Sequence, residues 1–300
     1  MGKKNWRLER PLHLMILPGL LFVLIFSYAP MAGLIIAFQD FIPTKGMFGS
    51  HWVGLEHFKY VYGLPQTRAV VANTLFISFM KIVAGLVVPI TTAILLNEIR
   101  KQFFKRAIQT VIYLPHFLSW VILSGILIDI LSPSSGILNQ GLGFLFGAKP
   151  IFFLGDQSWF PYVMVTTDVW KEFGFGTIIY LAALTSINPM LYEAAVIDGA
   201  NRWKQTLHIT IPGMFPVIVL MMTLAIGNIL NAGFDQIFNM YNPSVYETGD
   251  ILDTYVYRLA FVNAQLSVAT AVGLFKSIIS FLLISLSYII AYRFANYRIF

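Results

Sequence analysis

"LYEAAVIDGANRWKQTLHITIP" occupies residues 191–212 and places Glu193, Asp198, Gly199, Arg202 and Lys204 between two long apolar runs. Asn188-Pro189, just ahead of it, predicts a helix start: Asn offers a side-chain cap, and Pro fits the first helical position, where its missing donor is not needed. Gly199 predicts the break. Between Pro189 and Asp198 the helix carries only Glu193 and Asp198 as charges, while Met190, Leu191, Ala194, Ala195, Val196 and Ile197 spread apolar surface round most of its circumference. About ten residues cannot cross a hydrocarbon core of ~30 Å, and each acid at a bilayer centre would cost ~2.5–3.5 kcal/mol. A loop helix lying free in water is not built this way either. The composition fits a short helix buried in a protein partner, whose basic or donor groups meet the acids.

Outward from that stretch, 57% of the 300 residues are hydrophobic and 11% charged, where soluble domains carry about 25% charged residues. The chain therefore reads as an all-α polytopic membrane protein. The absence of cysteine excludes a disulfide framework, a thiolate nucleophile and a Cys-ligated metal. Histidines at 13, 51, 57, 116 and 208 show no ligand spacing, so no metal is expected, and His51 and His57 read as solvated loop residues. A net charge of +6 needs no nucleic-acid partner, since basic loops on the inner side of a membrane give the same sign.

Six stretches are long enough to cross: 12–38, 70–96, 108–131, 160–184, 208–232 and 267–292. The first follows "KKNWRLER", but its apolar run exceeds the about 7–15 residues of a signal peptide and reads as a retained span. With the N-terminus inside, the inner segments hold twelve basic residues: Lys3, Lys4, Arg7, Arg10, Arg100, Lys101, Lys105, Arg106, Arg202, Lys204, Arg293 and Arg298. The outer segments hold five: Lys45, Lys59, Arg68, Lys149 and Arg258. The bias predicts a membrane protein with both termini cytoplasmic, the N-terminal segment 1–11 and the loop 188–206 included. Loops 39–69, 132–159 and 233–266 are then external, and long enough to dock a partner.

"EAAVIDGANRWKQTLHITIP" resembles the EAA motif of ATP-binding-cassette importer permeases. Glu193-Ala194-Ala195, Gly199, Ile209, Ile211 and Pro212 fill its positions, with Ile211 in place of the commoner Leu. "WVGLEHF" (52–58), "NTLFIS" (73–78), "YLP" (113–115), "GILN" (136–139) and "LTSINPMLYEAAVIDGA" are similar to the carbohydrate branch of that family. "YAPMAGLIIAFQDF" (28–41) is similar to its Gram-positive subgroup handling complex oligosaccharides and polysaccharide fragments. The resemblance implies a single permease domain over 1–300, with a core region 70–292. Implied partners are a second and different permease, two cytoplasmic ATPases, an external solute-binding (lipo)protein and an oligosaccharide. It implies coupling to the ATPase through Glu193, Ala194, Ala195, Asp198 and Gly199, with Pro212 starting the fifth span. No G-x-x-x-x-G-K-[ST] loop occurs, so no ATP cofactor is expected on this chain and ATP-Mg belongs to the partner. The bland alternative for the stretch is an incidental amphipathic connector.

Within the spans, Trp170, Lys171 and Glu172 fit either a sugar path or an ion pair between helices. Asn228, Asn231 and Asp235, at the end of the fifth span, suit sugar hydroxyls; the alternative is helix–helix hydrogen bonding. Asp129, Lys81 and Lys276 read as close enough to span ends to snorkel or be capped by a loop. Two other function classes fit less well: a secondary transporter should show an internal repeat, and an intramembrane enzyme should show a motif such as H-E-x-x-H or G-x-S-x-G, absent here. A permease for another solute, such as glycerol phosphate, is the nearer alternative.

Overall fold

The computed structural model describes residues 6–295, so Lys3, Lys4 and Arg298 of the charge count, and residues 1–5 of the N-terminal segment, lie outside the described residues. The chain falls into two compact units: one joins the chain up to Gly63 with Val256–Phe275, the other joins Leu64–Tyr255 with the chain from Lys276 on.

In the first unit, helix α1 runs Pro11–Phe38. It passes through a π turn at Leu24–Tyr28 just before Pro30, whose missing N–H and ring disturb the α ladder. Strands β1 (Gln39–Asp40) and β2 (His51–Trp52) follow, antiparallel, with Gln39 opposite Trp52. Phe38 stacks on Trp52 at 5.6 Å. His57 is not simply solvated as the loop position suggests: its Nε2 bonds the Gln39 carbonyl at 3.0 Å.

The second unit is built on α2 (Pro65–Glu98), whose 34 residues span about 51 Å at helical rise, more than a bilayer core requires. The third expected span, 108–131, is not one straight helix. Helix α3 (Gln102–Phe117) and α4 (Trp120–Leu131) meet at 104°. Pro115 lies in the tightened last turn of α3, Leu118 and Ser119 are extended, and the Ser119 hydroxyl caps α4 by accepting from the Ile122 amide. Helix α5 (Ile137–Phe146) follows; on it the buried Asn139 of "GILN" accepts from the Ile151 amide at 2.8 Å and donates to the Ser132 and Ile151 carbonyls at 3.0 Å.

Helix α6 (Phe160–Thr185) packs along α2. Gly176 allows the approach, since a Cβ there would stand 3.3 Å from the Pro89 ring. Helix α7 (Pro189–Ile197) turns 70° from α6. The fifth span is also displaced from 208–232: α8 runs Arg202–Gly227, and Pro212 lies inside it rather than at its start. A π turn at Thr206–Thr210 precedes Pro212 and accommodates the ring where it would crowd the preceding carbonyl. Asp235 belongs to a separate helix, α9 (Phe234–Met240), beyond the positive-φ Gly233. The last helix, α10, runs Leu266–Ala295.

Apolar side chains make two clusters in this unit, one around Ile77, Leu123, Phe160, Met164 and Ile237, the other around Ala93, Tyr180, Ala183, Leu184 and Met214.

Candidate functional site

The short helix α7 forms where Asn188 and Pro189 place it. Asn188 Oδ1 accepts from the Met190 amide at 3.0 Å. The other end closes at Gly199, whose φ of +72° suits a residue without a Cβ. There the Ala200 amide reaches back to the Ala195 carbonyl at 2.8 Å, and Asn201 Oδ1 starts α8 by accepting from Lys204. The Tyr192 and Thr210 hydroxyls bond at 3.0 Å, fastening α7 to α8. None of the helix is buried: Ile197 is 86% exposed, and Met190, Leu191, Val196, Glu193, Ala194 and Asp198 are exposed with it. A contiguous apolar surface with an acid in it marks a contact site for another molecule.

A second feature lies at mid-span, where residues of the helix stretches between the two apolar clusters line a cavity of about 300 Å³. Ser78, Lys81 and Gly85 come from α2, Asp168 from α6, and Asn228 and Asn231 from the irregular segment after α8. Lys81 does not snorkel to a span end. It lies about 24 Å along α2 from Pro65, its side chain is 10% exposed, and its ammonium donates to Asp168 Oδ1 at 3.1 Å, to the Ala232 carbonyl at 2.8 Å and to Gln236 Oε1. Gln236 is fully buried and donates to the Met164 carbonyl and to Thr167 Oγ1, both at 2.8 Å. Two polar layers therefore hold the segment after α8 against α2 and α6.

The other residues singled out from sequence go elsewhere. Lys171 is buried on α6, donating to Glu172 Oε1 at 2.7 Å and to the His116 carbonyl at 3.0 Å, where α3 ends at the break. Glu172 Oε2 meets His116 Nδ1 at 2.7 Å. Trp170 is 46% exposed, Asp235 is exposed at the start of α9, and neither lines the cavity. Lys276 pairs with Asp253, while Asp129 is exposed near the end of α4. Asp168, Ser78 and Gln236 are not among the residues singled out from sequence. Lys81 had a usable signal: even with the span starting at 70 it sits about 16 Å in, too deep to snorkel easily.

The family described as "Binding-protein-dependent transport system inner membrane component" matches residues 85–299. The chain belongs to this family. It is similar to the polygalacturonan/rhamnogalacturonan transport system permease protein YteP of Bacillus subtilis (strain 168), with 41% identity over 97% of this chain and 91% of that one. It is as similar to protein LplB of the same organism, 41% identical over 97% of this chain and 92% of that one. A solved bacterial ABC transporter involved in the import of the acidic polysaccharide alginate matches with a TM-score of 0.88 and 36% identity, over 96% of this chain and 97% of its counterpart. The fold is that of an importer permease, and the protein is a multi-pass membrane component of a carbohydrate ABC transporter.

Proposed function

We propose that the chain is one of two different permease subunits of an ATP-driven importer that carries polysaccharide fragments, with the sugar passing the mid-span cavity. The observation that carries the reading is α7: a short, capped helix fastened to a span, with Glu193 and Ile197 bare on the protein's own surface. Two cytoplasmic ATPases hold ATP and Mg, one of them docking on α7 through Glu193, Ala194, Ala195, Asp198 and Gly199, and an external solute-binding (lipo)protein delivers the oligosaccharide. Support for that last partner comes from a solved alginate transporter in complex with a pentasaccharide-bound periplasmic protein, to which this chain is 36% identical with a TM-score of 0.89. Purification of the complex, identification of the subunits that copurify and a screen of oligosaccharides on the binding protein test this assignment; a complex without an ATPase would refute it.

The path residues retained are Asn228 and Asn231, since amides donate to and accept from sugar hydroxyls and both line the cavity. Asn231→Leu is expected to lower uptake about tenfold, because a buried hydroxyl left unpaired costs about 1–3 kcal/mol, while assembly and basal ATP hydrolysis stay near wild type. Trp170→Ala, on an exposed face outside the cavity, separates the two locations: equal losses in both variants would move the path to that face.

The membrane orientation follows the charge bias, with both termini and 188–206 cytoplasmic. Because cysteine is absent, Asn201→Cys gives a clean label. It should react with an impermeant thiol reagent only in inside-out vesicles; labelling from outside intact cells would reverse the orientation.

A further inference from the structure

The charges at the cavity are unevenly committed. Lys81 is the one cation among the described residues that line it, and an ammonium has three donors. All three are engaged, by Asp168, Ala232 and Gln236. Gly233 packs close on one side: it adopts φ +94°, and a Cβ there would stand 3.0 Å from the Lys81 nitrogen. Asp168 stands differently. One of its oxygens accepts from Lys81, yet the side chain is 25% exposed against 10% for Lys81, and it lines the cavity. The other polar side chains that line the cavity are uncharged: Ser78, Tyr180, Asn228 and Asn231. Among the described residues, Ser78 Oγ is buried and has no hydrogen-bond partner.

We propose that Asp168, positioned by Lys81, is the acceptor that reads substrate charge at this subsite, taking hydroxyl donors from neutral sugar rings and disfavouring a sugar carboxylate. The inference rests on the cavity being the sugar path. A neutral pyranose offers hydroxyl donors to the Asp168 carboxylate and hydroxyls of either sense to Asn228 and Asn231. A uronate brings a second negative charge beside the first and finds no unengaged cation on this wall. Two like charges in a space of restricted water repel far more than in bulk. Gly85 adds space where the ring must pass, since nothing lies within 4 Å of a Cβ built there.

The test uses the full transporter with Ala225→Cys, a small substitution on the cavity wall of a chain without native cysteine. Labelling rates by a cationic and an anionic methanethiosulfonate of similar size are compared, each normalised to its rate with a small free thiol. The cationic reagent should react roughly ten times faster, since charged walls concentrate ions of opposite sign by about 10-fold or more. Asp168→Asn should turn the preference toward the anionic reagent, because Lys81 is then uncompensated. Asp168→Asn combined with Lys81→Met, which strands no charge, should bring the ratio near one. A wild-type ratio near one, or one favouring the anion, overturns the proposal and leaves the pair as a neutral brace. Protection of the same cysteine is then measured with neutral and uronate oligosaccharides of equal length. Neutral sugar should protect at roughly tenfold lower concentration, the equivalent of one decade in affinity. Equal or better protection by the uronate sinks the charge reading alone, whereas protection by neither sugar sinks the path reading beneath it.

Discussion

Gly199→Val is expected to abolish sugar uptake by the transporter, and Glu193→Ala to lower it at least about tenfold, while both variants still insert and pair with the proposed second permease. Gly199 holds φ +72°, where a β-branched residue is a genuine outlier and a left-handed residue costs roughly 1–2 kcal/mol. Its strain is relieved most cheaply by unwinding the last turn of α7. That turn holds the amide contacts Asp198 to Ala194 at 3.0 Å and Ala200 to Ala195 at 2.8 Å. Unwinding it moves the exposed Val196 and Ile197 away from the proposed ATPase surface. Glu193→Ala acts without touching the fold, since this side chain faces outward. Removing one partner of a buried charged hydrogen bond at an interface costs about 2–5 kcal/mol, more than the 1.4 kcal/mol that corresponds to tenfold. If α7 docks on the ATPase as proposed, it acts as a lever: closure of the nucleotide subunits moves α7, and the Tyr192–Thr210 bond passes the motion to α8. Uptake, sugar-stimulated ATP hydrolysis and pull-down of the ATPase are measured together. Normal coupled transport in both variants would mean that the helix is an incidental connector.

The helix α7 is legible from sequence because its limits depend on local chemistry: Asn188 caps, Pro189 starts and Gly199 stops it, each through its own backbone or nearest amides. The break in the third span is less so. Hydropathy reports how far a segment runs, not its direction, and the apolar run through 108–131 continues across Leu118. Pro115 and Ser119 signal an interruption locally. The 104° angle, however, goes with a close approach of α6, where a Cβ on Gly174 would lie 1.9 Å from the Ile112 carbonyl. The fifth span misleads for a related reason: Pro212 suggests a start, but a π turn lets the helix begin at Arg202. The cavity is a tertiary object. Asn228 and Asn231 stand out as amides near a span end, whereas Ser78 and Asp168 become notable only once α2 and α6 bring them to the same space.

Lys171→Met is expected to destabilise the permease by about 3 kcal/mol and to cut the yield of assembled complex sharply. A span that breaks within hydrocarbon frees backbone carbonyls, which must find donors inside the protein. At the end of α3 Lys171 supplies one, donating to the His116 carbonyl at 3.0 Å. It also donates to Glu172 at 2.7 Å and lies 5.6 Å from the centre of the Trp120 ring, the first residue of α4, so one ammonium contacts both sides of the break. His116 is held in turn by Glu172 and by stacking on Phe175 at 4.0 Å with the rings 4° from parallel. Methionine fills a similar volume but removes both hydrogen bonds and leaves Glu172 with His116 as its partner. The ion pair itself contributes about 1 kcal/mol, because Glu172 is 43% exposed and keeps His116 as a partner. Adding Glu172→Gln removes the carboxylate left without its lysine and should restore part of the stability. The rest stays lost, since a buried carbonyl without its donor costs about 1–3 kcal/mol. Thermal unfolding and assembly of the two variants, beside Asn231→Leu as a cavity control, distinguish the roles that Lys171 admits. If Lys171→Met assembles with wild-type stability and fails only in uptake, its ammonium reads sugar and the break is held by other contacts.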